Sequence, residues 1–346
     1  MANQFPDFTV SSENSSIPRG PALIKISVVT SAYNNEDRIQ TSVDSILNQS
    51  FRELELIIVN DGSTDRTGSI LDHIAARDNR VRVIHQQNQG LTRALIRGCK
   101  GAVGEVIARQ DADDWSHPDR LTEQWELLQS DPFIGMVSCH VEYVGPQEEH
   151  LSYIERPADA EQATFGLIHQ EQGPPAHGSL MFRRSLYESV GGYRTEFHFA
   201  QDADLWLRMA AYMRISYVQR HLYIHHRDIH STSGKHYRVQ KQFGELGQLC
   251  HSARLNGRSE DEFLCQARHL SELIRSGQCK SALRGNLIDA TYALGSQLVS
   301  NGDKRARSYL WQVIRSRPWH GKAWIRLLQS GMHSLTPHAC KAAPHN

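Results

Sequence analysis

The chain has no long hydrophobic run. None of its apolar stretches approaches the roughly 18 residues that a helix needs to cross a bilayer. The longest, such as Leu56 to Val59, suit buried strands. The start lacks a basic-then-apolar segment, so no signal peptide is expected. The six cysteines, at positions 99, 139, 250, 265, 279 and 340, contain no CxxC and read as reduced thiols of a cytosolic protein. No GxGxxG follows the first strand-like run, which disfavours dinucleotide binding, and GxxxxGK[ST], GxSxG and HExxH are also missing.

Net charge is absent too, with 38 basic against 38 acidic residues, but the balance is local. Residues 1–209 hold 18 Lys and Arg against 30 Asp and Glu, and residues 210–346 hold 20 against 8. The basic half has two readings. It is either a set of solvated helix faces or a surface that meets anionic lipid or a phosphate-bearing acceptor. It lacks the aromatic platform on which single strands stack, so no nucleic acid partner is expected. Trp311, Trp319 and Trp324 read as helix-packing residues.

What is present describes a water-facing globular protein: 346 residues, 39% hydrophobic, mean hydropathy −0.50. The length suffices for one large α/β domain and a smaller appendage. Strand and helix alternate through the first half. Ile26 to Thr30 is a buried-strand run, followed by Ile39, Val43, Ile46 and Leu47 at helical spacing. Leu54 to Asn60 is a second strand and ends in Asp61-Gly62-Ser63-Thr64-Asp65, before a helix carrying Ile70, Leu71 and Ile74. Val81 to Ile84 is a third strand, and a helix covers about 91–100. Glu105 to Arg109 is a fourth, ending in Asp111-Ala112-Asp113-Asp114. Ser116 is expected to cap the next helix, with Pro118 in its first turn. Four such units imply a mostly parallel sheet covered on both faces, with ligands at the carboxyl ends of its strands. The small polar and acidic residues gather at those ends.

From about residue 236 the pattern is helical. The expected organisation is a disordered N-terminus over 1–22, an α/β domain over 23–233, a helical region over 234–334 and a flexible tail over 335–346. Asp289 to Met332 reads as a single helix–turn–helix unit of tetratricopeptide type.

In an extended segment, residues two apart share a face, so Asp111 and Asp113 point the same way. Two such carboxylates repel unless a cation neutralises them, and Mg²⁺ takes one or two carboxylates together with substrate phosphates. The surroundings carry further signal: Ile26 to Glu36 across the first strand, Val59 to Asp65, Asn88 to Leu95, and Ile107 to Asp114. In this order and spacing, over about residues 24 to 231, the chain resembles the family-2 glycosyltransferases of the GT-A fold.

The resemblance implies an α/β GT-A sheet with a C-terminal helical region. It also implies transfer of a sugar from a nucleotide-diphosphate donor, UDP-sugar favoured, to a hydroxyl of a saccharide or lipid-linked acceptor. Thr30, Ala32 and Glu36 would line the nucleotide pocket, and Asp61 would accept from the base N–H. Asp111 would hold the ribose hydroxyls, and Asp113 would ligate Mg²⁺ or Mn²⁺. In Ala200 to Arg208 the position of the family's base is Asp202. Asp65 reads as a helix cap or Asx turn, and Asp61 is open to that reading as well. Asp204 reads as a cap of its own helix. His225, His226 and His230 cluster, and His226 fits the family's Tyr-x-x-His spacing after Tyr223. The chain departs at Ile224, where the family usually has Arg. No Cys or HExxH spacing supports zinc there. The QxxRW signature of processive synthases is absent, so one sugar per encounter is expected, with inversion as in the family. Surface-polysaccharide assembly in the cytoplasm is the expected setting, with peripheral contact at the inner face of the membrane through the basic helices. Two rivals remain: a nucleotidyltransferase, and a non-catalytic scaffold with a relic site.

Overall fold

The computed structural model describes residues 24–228, 232–276 and 287–332. The N-terminal segment over 1–22, the tail over 335–346, His230, Cys279 and Cys340 lie outside the described residues.

The apolar runs become the sheet's centre. β1 (Ile26–Ala32) is buried except at Ser31, and all eight residues of β2 (Leu54–Asp61) are buried. Such strands need cover on both faces. It comes from α1 (Ile39–Leu47), α2 (Thr67–Ala75) and α3 (Leu91–Lys100). With β3 (Val81–Gln86) and β4 (Val106–Arg109) they form a parallel block in the order β3-β2-β1-β4. The register pairs Ile26 with both Leu54 and Val106, so all four strands finish on one edge. α3 lies so close to β1 that a Cβ on Gly98 would sit 2.6 Å from Val29 Cγ1; only glycine fits there.

The chain continues through β5 (Trp115–Ser116), α4 (Arg120–Ser130), β6 (Ile134–Val144), β7 (His150–Ile154), α5 (Ala160–Gln170) and a 3₁₀ turn (His177–Ser179). Then come β8 (Met181–Arg183), α6 (Arg184–Ser189), α7 (Gln201–Met209) and β9 (Arg214–His226). These strands extend the sheet as β4-β8-β6-β9-β5, with β7 on β6. β8 is antiparallel to β4 and β6, whereas β6 and β9 are parallel. The sheet is therefore mixed beyond β4. Ser116 does not cap α4: it is buried, pairs with Tyr223 of β9 and donates its hydroxyl to Gln110 Oε1 at 2.7 Å. A strand bridge held by an internal hydrogen bond outcompetes the cap.

α8 (Thr232–Leu255) and α9 (Asp261–Arg275) enclose Phe197 and Phe199, so they brace the loop that leads into α7. α10 (Leu287–Ser300), α11 (Ala306–Ser316) and α12 (Gly321–Met332) carry a separate apolar cluster around Leu298, Leu310 and Val313. It reaches the sheet at Leu151 of β7, and Tyr309 Oη donates to the buried Glu149 at 2.7 Å. The packing expectation for the tryptophans holds for Trp311 and Trp324, across α11 and α12, and is corrected for Trp319. Trp311 and Trp324 meet edge to face at 5.7 Å, but Trp319 is 86% exposed and all three lie outside that cluster. No helix among the described residues is long and apolar enough to cross a membrane.

Candidate functional site

β4 ends in the fully buried Arg109, whose Nη2 donates to Asp111 Oδ1 at 2.9 Å. The segment after it is a turn and not an extended strand, closed by Asp114 N–H on Asp111 O at 3.3 Å. Asp111, Asp113 and Asp114 are therefore gathered by turn closure, which corrects the alternation argument. Burial, then the charges of Asp114 and Asp111, pushes the Asp113 carboxyl up to about 7. Like charges crowded in this way are what a divalent cation relieves.

Asp114 has a different task that sequence reasoning missed. It is buried and accepts from Tyr223 Oη at 2.8 Å, His225 Nδ1 at 2.9 Å and the His226 N–H at 2.8 Å. Burial would lower the His225 pKa, but the Asp114 charge and hydrogen bond, with Asp113 and Asp111 beyond, push it up to about 9. Tyr223 Oη also receives the Asp111 N–H at 3.2 Å. This joint exists because residue 178 is glycine: a Cβ there would lie 1.8 Å from Tyr223 Oη and 2.9 Å from Asp111 N. The end of β9 is thus bolted to the acidic turn.

His226 is the product of that bolt. Its Nε2 lies 3.0 Å from Glu148 Oε2, an acceptor, so in the neutral ring Nε2 carries the proton and Nδ1 the lone pair. Nδ1 is buried without a hydrogen-bond partner among the described residues. Glu148 is held in turn by Arg38 at 2.9 Å. His226 and Asp113 line one cavity of about 300 Å³, together with Asp37, Arg38, Thr41, Ser42, Asp114 and Trp115. A buried imidazole lone pair beside crowded carboxylates fits a divalent cation, and a carboxylate behind a ligating histidine is the usual second support.

The residues expected on the nucleotide side stand at the same edge of the sheet. Thr30 and Ala32 are buried, so contact with a ligand falls to their backbone and to the neighbouring Tyr33, which is half exposed. Asp61 takes Gln86 Nε2 at 2.7 Å and the Gln89 N–H at 2.9 Å on Oδ1, and the Gly90 N–H at 2.8 Å on Oδ2. A carboxylate has about four acceptor positions, so one remains for a base. Glu36 is turned away onto Arg66, accepting its N–H at 2.9 Å and its Nε–H at 3.1 Å. Asp65 receives the N–H groups of Glu36 and Thr67, the latter an Asx turn at the start of α2.

Asp202 and Asp204 share the first turn of α7, behind a left-handed Ala200 with φ of 53°. Their environments differ. Asp204 is fully buried and accepts from Arg194 and Arg208, with Glu260 of the α8–α9 link also on Arg194. That network anchors the helix. Asp202 is only partly buried and takes the Ala203 N–H at 2.9 Å. His177, within electrostatic reach of both Asp202 and Asp111, accepts from Tyr193 Oη at 2.7 Å and faces Arg109 Nε at 3.4 Å. Burial and then Arg109 push His177 down to about 4, with the charges of Asp202 and Asp111 opposing them. His177 was invisible as a site residue because its partners lie 16 and 68 positions away.

Comparison with known proteins gives this edge a class. The pattern of the family described as Glycosyl transferase family 2 matches residues 27–191. An uncharacterized glycosyltransferase of Bacillus subtilis, EpsJ, is 30% identical over 74% of this chain and 78% of its own length. The O-antigen biosynthesis glycosyltransferase WbnJ of Escherichia coli is 31% identical over 53% of this chain and 71% of its own. Among solved structures, a mannosyltransferase from Pyrobaculum calidifontis in complex with GDP-Man and Mn²⁺ superposes with a TM-score of 0.52 at 20% identity, covering 90% of this chain and 87% of its own. TarS 1-349 of S. aureus in complex with UDP-GlcNAc gives 0.53 at 15% identity, covering 90% and 92%. The fold is that of the GT-A glycosyltransferases, with a C-terminal helical region. The chain belongs to glycosyltransferase family 2, and its activity is the transfer of a sugar.

Proposed function

We propose that the chain transfers one sugar per encounter from a UDP-sugar to a saccharide or lipid-linked acceptor, with inversion and with Mg²⁺ or Mn²⁺, in surface-polysaccharide assembly. The observation that carries this is the convergence on one cavity of Asp113 and the buried Nδ1 of His226, which has no hydrogen-bond partner among the described residues and lies 3.9 Å from Asp114 Oδ1. Asp113 and His226 would hold the cation, which when bound offsets the diphosphate charge and eases departure of the nucleotide. Asp111, fixed by Arg109, would take the ribose hydroxyls. Asp61 would take the base N–H, and the backbone at Thr30 and Ala32 would flank the base. Glu36 would shape that pocket through its hold on Arg66. Asp202 would remove the acceptor proton. Inversion needs that base opposite the leaving group.

Calorimetric titration with UDP, GDP and dTDP, each with Mn²⁺ and with EDTA, tests the reading. UDP is expected to bind only when metal is present. Metal-dependent GDP or dTDP binding instead would change the donor, and no binding by the folded protein would favour a scaffold with a relic site.

The acceptor side favours a membrane surface. Trp319, Trp324, Ile325 and Leu328 are exposed on and beside α12, in the half of the chain where basic residues outnumber acidic ones by 20 to 8. Aromatic and aliphatic side chains among cations suit an anionic lipid interface. Sedimentation with anionic vesicles at low salt is expected to carry the protein down, less so after Trp319→Ala. Equal recovery in the supernatant with and without vesicles would remove the membrane reading.

A further inference from the structure

A second cluster of ligating side chains lies on the far face of the same strands. Successive residues of a strand point to opposite faces. Cys139 and Val141 of β6 pack with Tyr223 in the main core, so His140 between them faces the other way. His140 pairs directly with His221 of β9. On the other flank Val141 pairs with Ile154, the last residue of β7, which brings Glu155 level with His140. One ligand atom from each of His140, Glu155 and His221 lies within 4.8 Å of the other two. Neither the acidic turn nor α7 contributes to the group.

We propose that His140, Glu155 and His221 form a site for a first-row transition ion, Zn²⁺ by preference, independent of the donor site. Three features carry this. The His221 Nε2 to Glu155 Oε1 distance is 3.3 Å. Tetrahedral zinc at its usual 2.0–2.1 Å from each ligand separates neighbouring ligands by about 3.3–3.4 Å. His140 is buried, and its Nε2 is 3.2 Å from the Arg156 carbonyl, which can only accept. That bond fixes the ring and leaves its other nitrogen with a lone pair, the arrangement by which backbone carbonyls orient metal-binding histidines. Two imidazoles and one carboxylate are also a donor set that zinc-like ions select, while Mg²⁺ and Ca²⁺ prefer all-oxygen sites. Glu155 is largely exposed, so its side chain is free to close the remaining distance. Tyr153 stands against His221 with ring centroids 4.4 Å apart and walls one side. An ion there ties β7 to the β6–β9 pair whose end bears His225 and His226.

The test is titration of the full chain with Co²⁺, read by visible d–d absorption, and with Zn²⁺, read by Tm. It compares the wild type with Asp113→Asn, His221→Gln and Glu155→Gln. The donor-side variant separates the two sites. Wild type and Asp113→Asn are expected to give the bands of a four- or five-coordinate ion and a rise in Tm with Zn²⁺. Loss of a direct ligand in His221→Gln or Glu155→Gln is expected to weaken binding by about 100-fold, the upper end for supporting partners. Both positions are partly exposed, and unchanged metal-free Tm values show that the variants fold. Absence of the bands in the wild type, or equal affinity in wild type, His221→Gln and Glu155→Gln, overturns the site.

Discussion

Asp202→Asn is expected to lower kcat by about a thousandfold, within the 10²–10⁴ range of general-base contributions, while UDP affinity stays within about twofold. The split follows from where the residue sits. Asp202 is in the first turn of α7, and the residues proposed for the nucleotide stand on β1, β2 and the turn after β4. Among the described residues its hydrogen bond comes from the adjacent Ala203 N–H onto Oδ1, and the amide oxygen of Asn can keep that bond. The helix does not depend on it, because Asp204, Arg194 and Arg208 hold α7 in place. What Asn cannot do is accept the acceptor's proton. Turnover measured beside calorimetric UDP binding decides the matter, and a variant with full turnover would end the assignment of Asp202 as base.

Asp113→Asn is expected to have the second large effect: metal-dependent UDP binding falls by roughly 100-fold or more, since the substitution removes a proposed ligand and not merely a supporting partner. The pH behaviour separates this from a general structural defect. The wild-type carboxyl, at about 7 against an ordinary 3.8, must release its proton before a cation binds. Mn²⁺ affinity of the wild type should therefore weaken about tenfold per unit below pH 7 and level off above it. The sign of the stability effect is the reverse. A carboxyl raised by folding resists ionisation, so the metal-free wild type loses stability as pH rises from about 4 to about 7. Asn has no proton to lose, so the metal-free variant is expected to be the more stable protein at pH 8 and to gain less from added Mn²⁺. Melting curves with EDTA and with Mn²⁺ at pH 5 and pH 8 read all of this. A wild type that melts identically at both, with and without metal, would contradict the proposed crowding at Asp113.

These two residues were legible in the sequence for different reasons. The acidic turn and its strand are local. A buried run ending in small polar residues announces a strand whose carboxyl end faces a ligand, and the four-unit alternation places those ends together. Asp202 was legible only through resemblance, since a lone Asp at a helix start is ordinarily a cap. The contacts that brace His226 and the end of β9 were hidden. Glu148 meets Arg38 across 110 positions, and Asp114 meets Tyr223 across 109.

The sequence by itself determined the strand–helix alternation and the acidic edge, because each depends on periodicity and contacts within a few residues; the strand order β3-β2-β1-β4 came from pairings 25 to 80 positions apart. Tertiary structure alone decided the rest. It made Asp114 a bolt for β9, removed Ser116 from its expected cap and turned Glu36 onto Arg66. It left the Nδ1 of His226 buried with a lone pair, exposed Trp319, and set His140 opposite His221. Such outcomes turn on which distant donor or acceptor arrives at a buried polar atom. No local pattern encodes that arrival, yet the cost of leaving such an atom unpaired makes it decisive once the chain has closed.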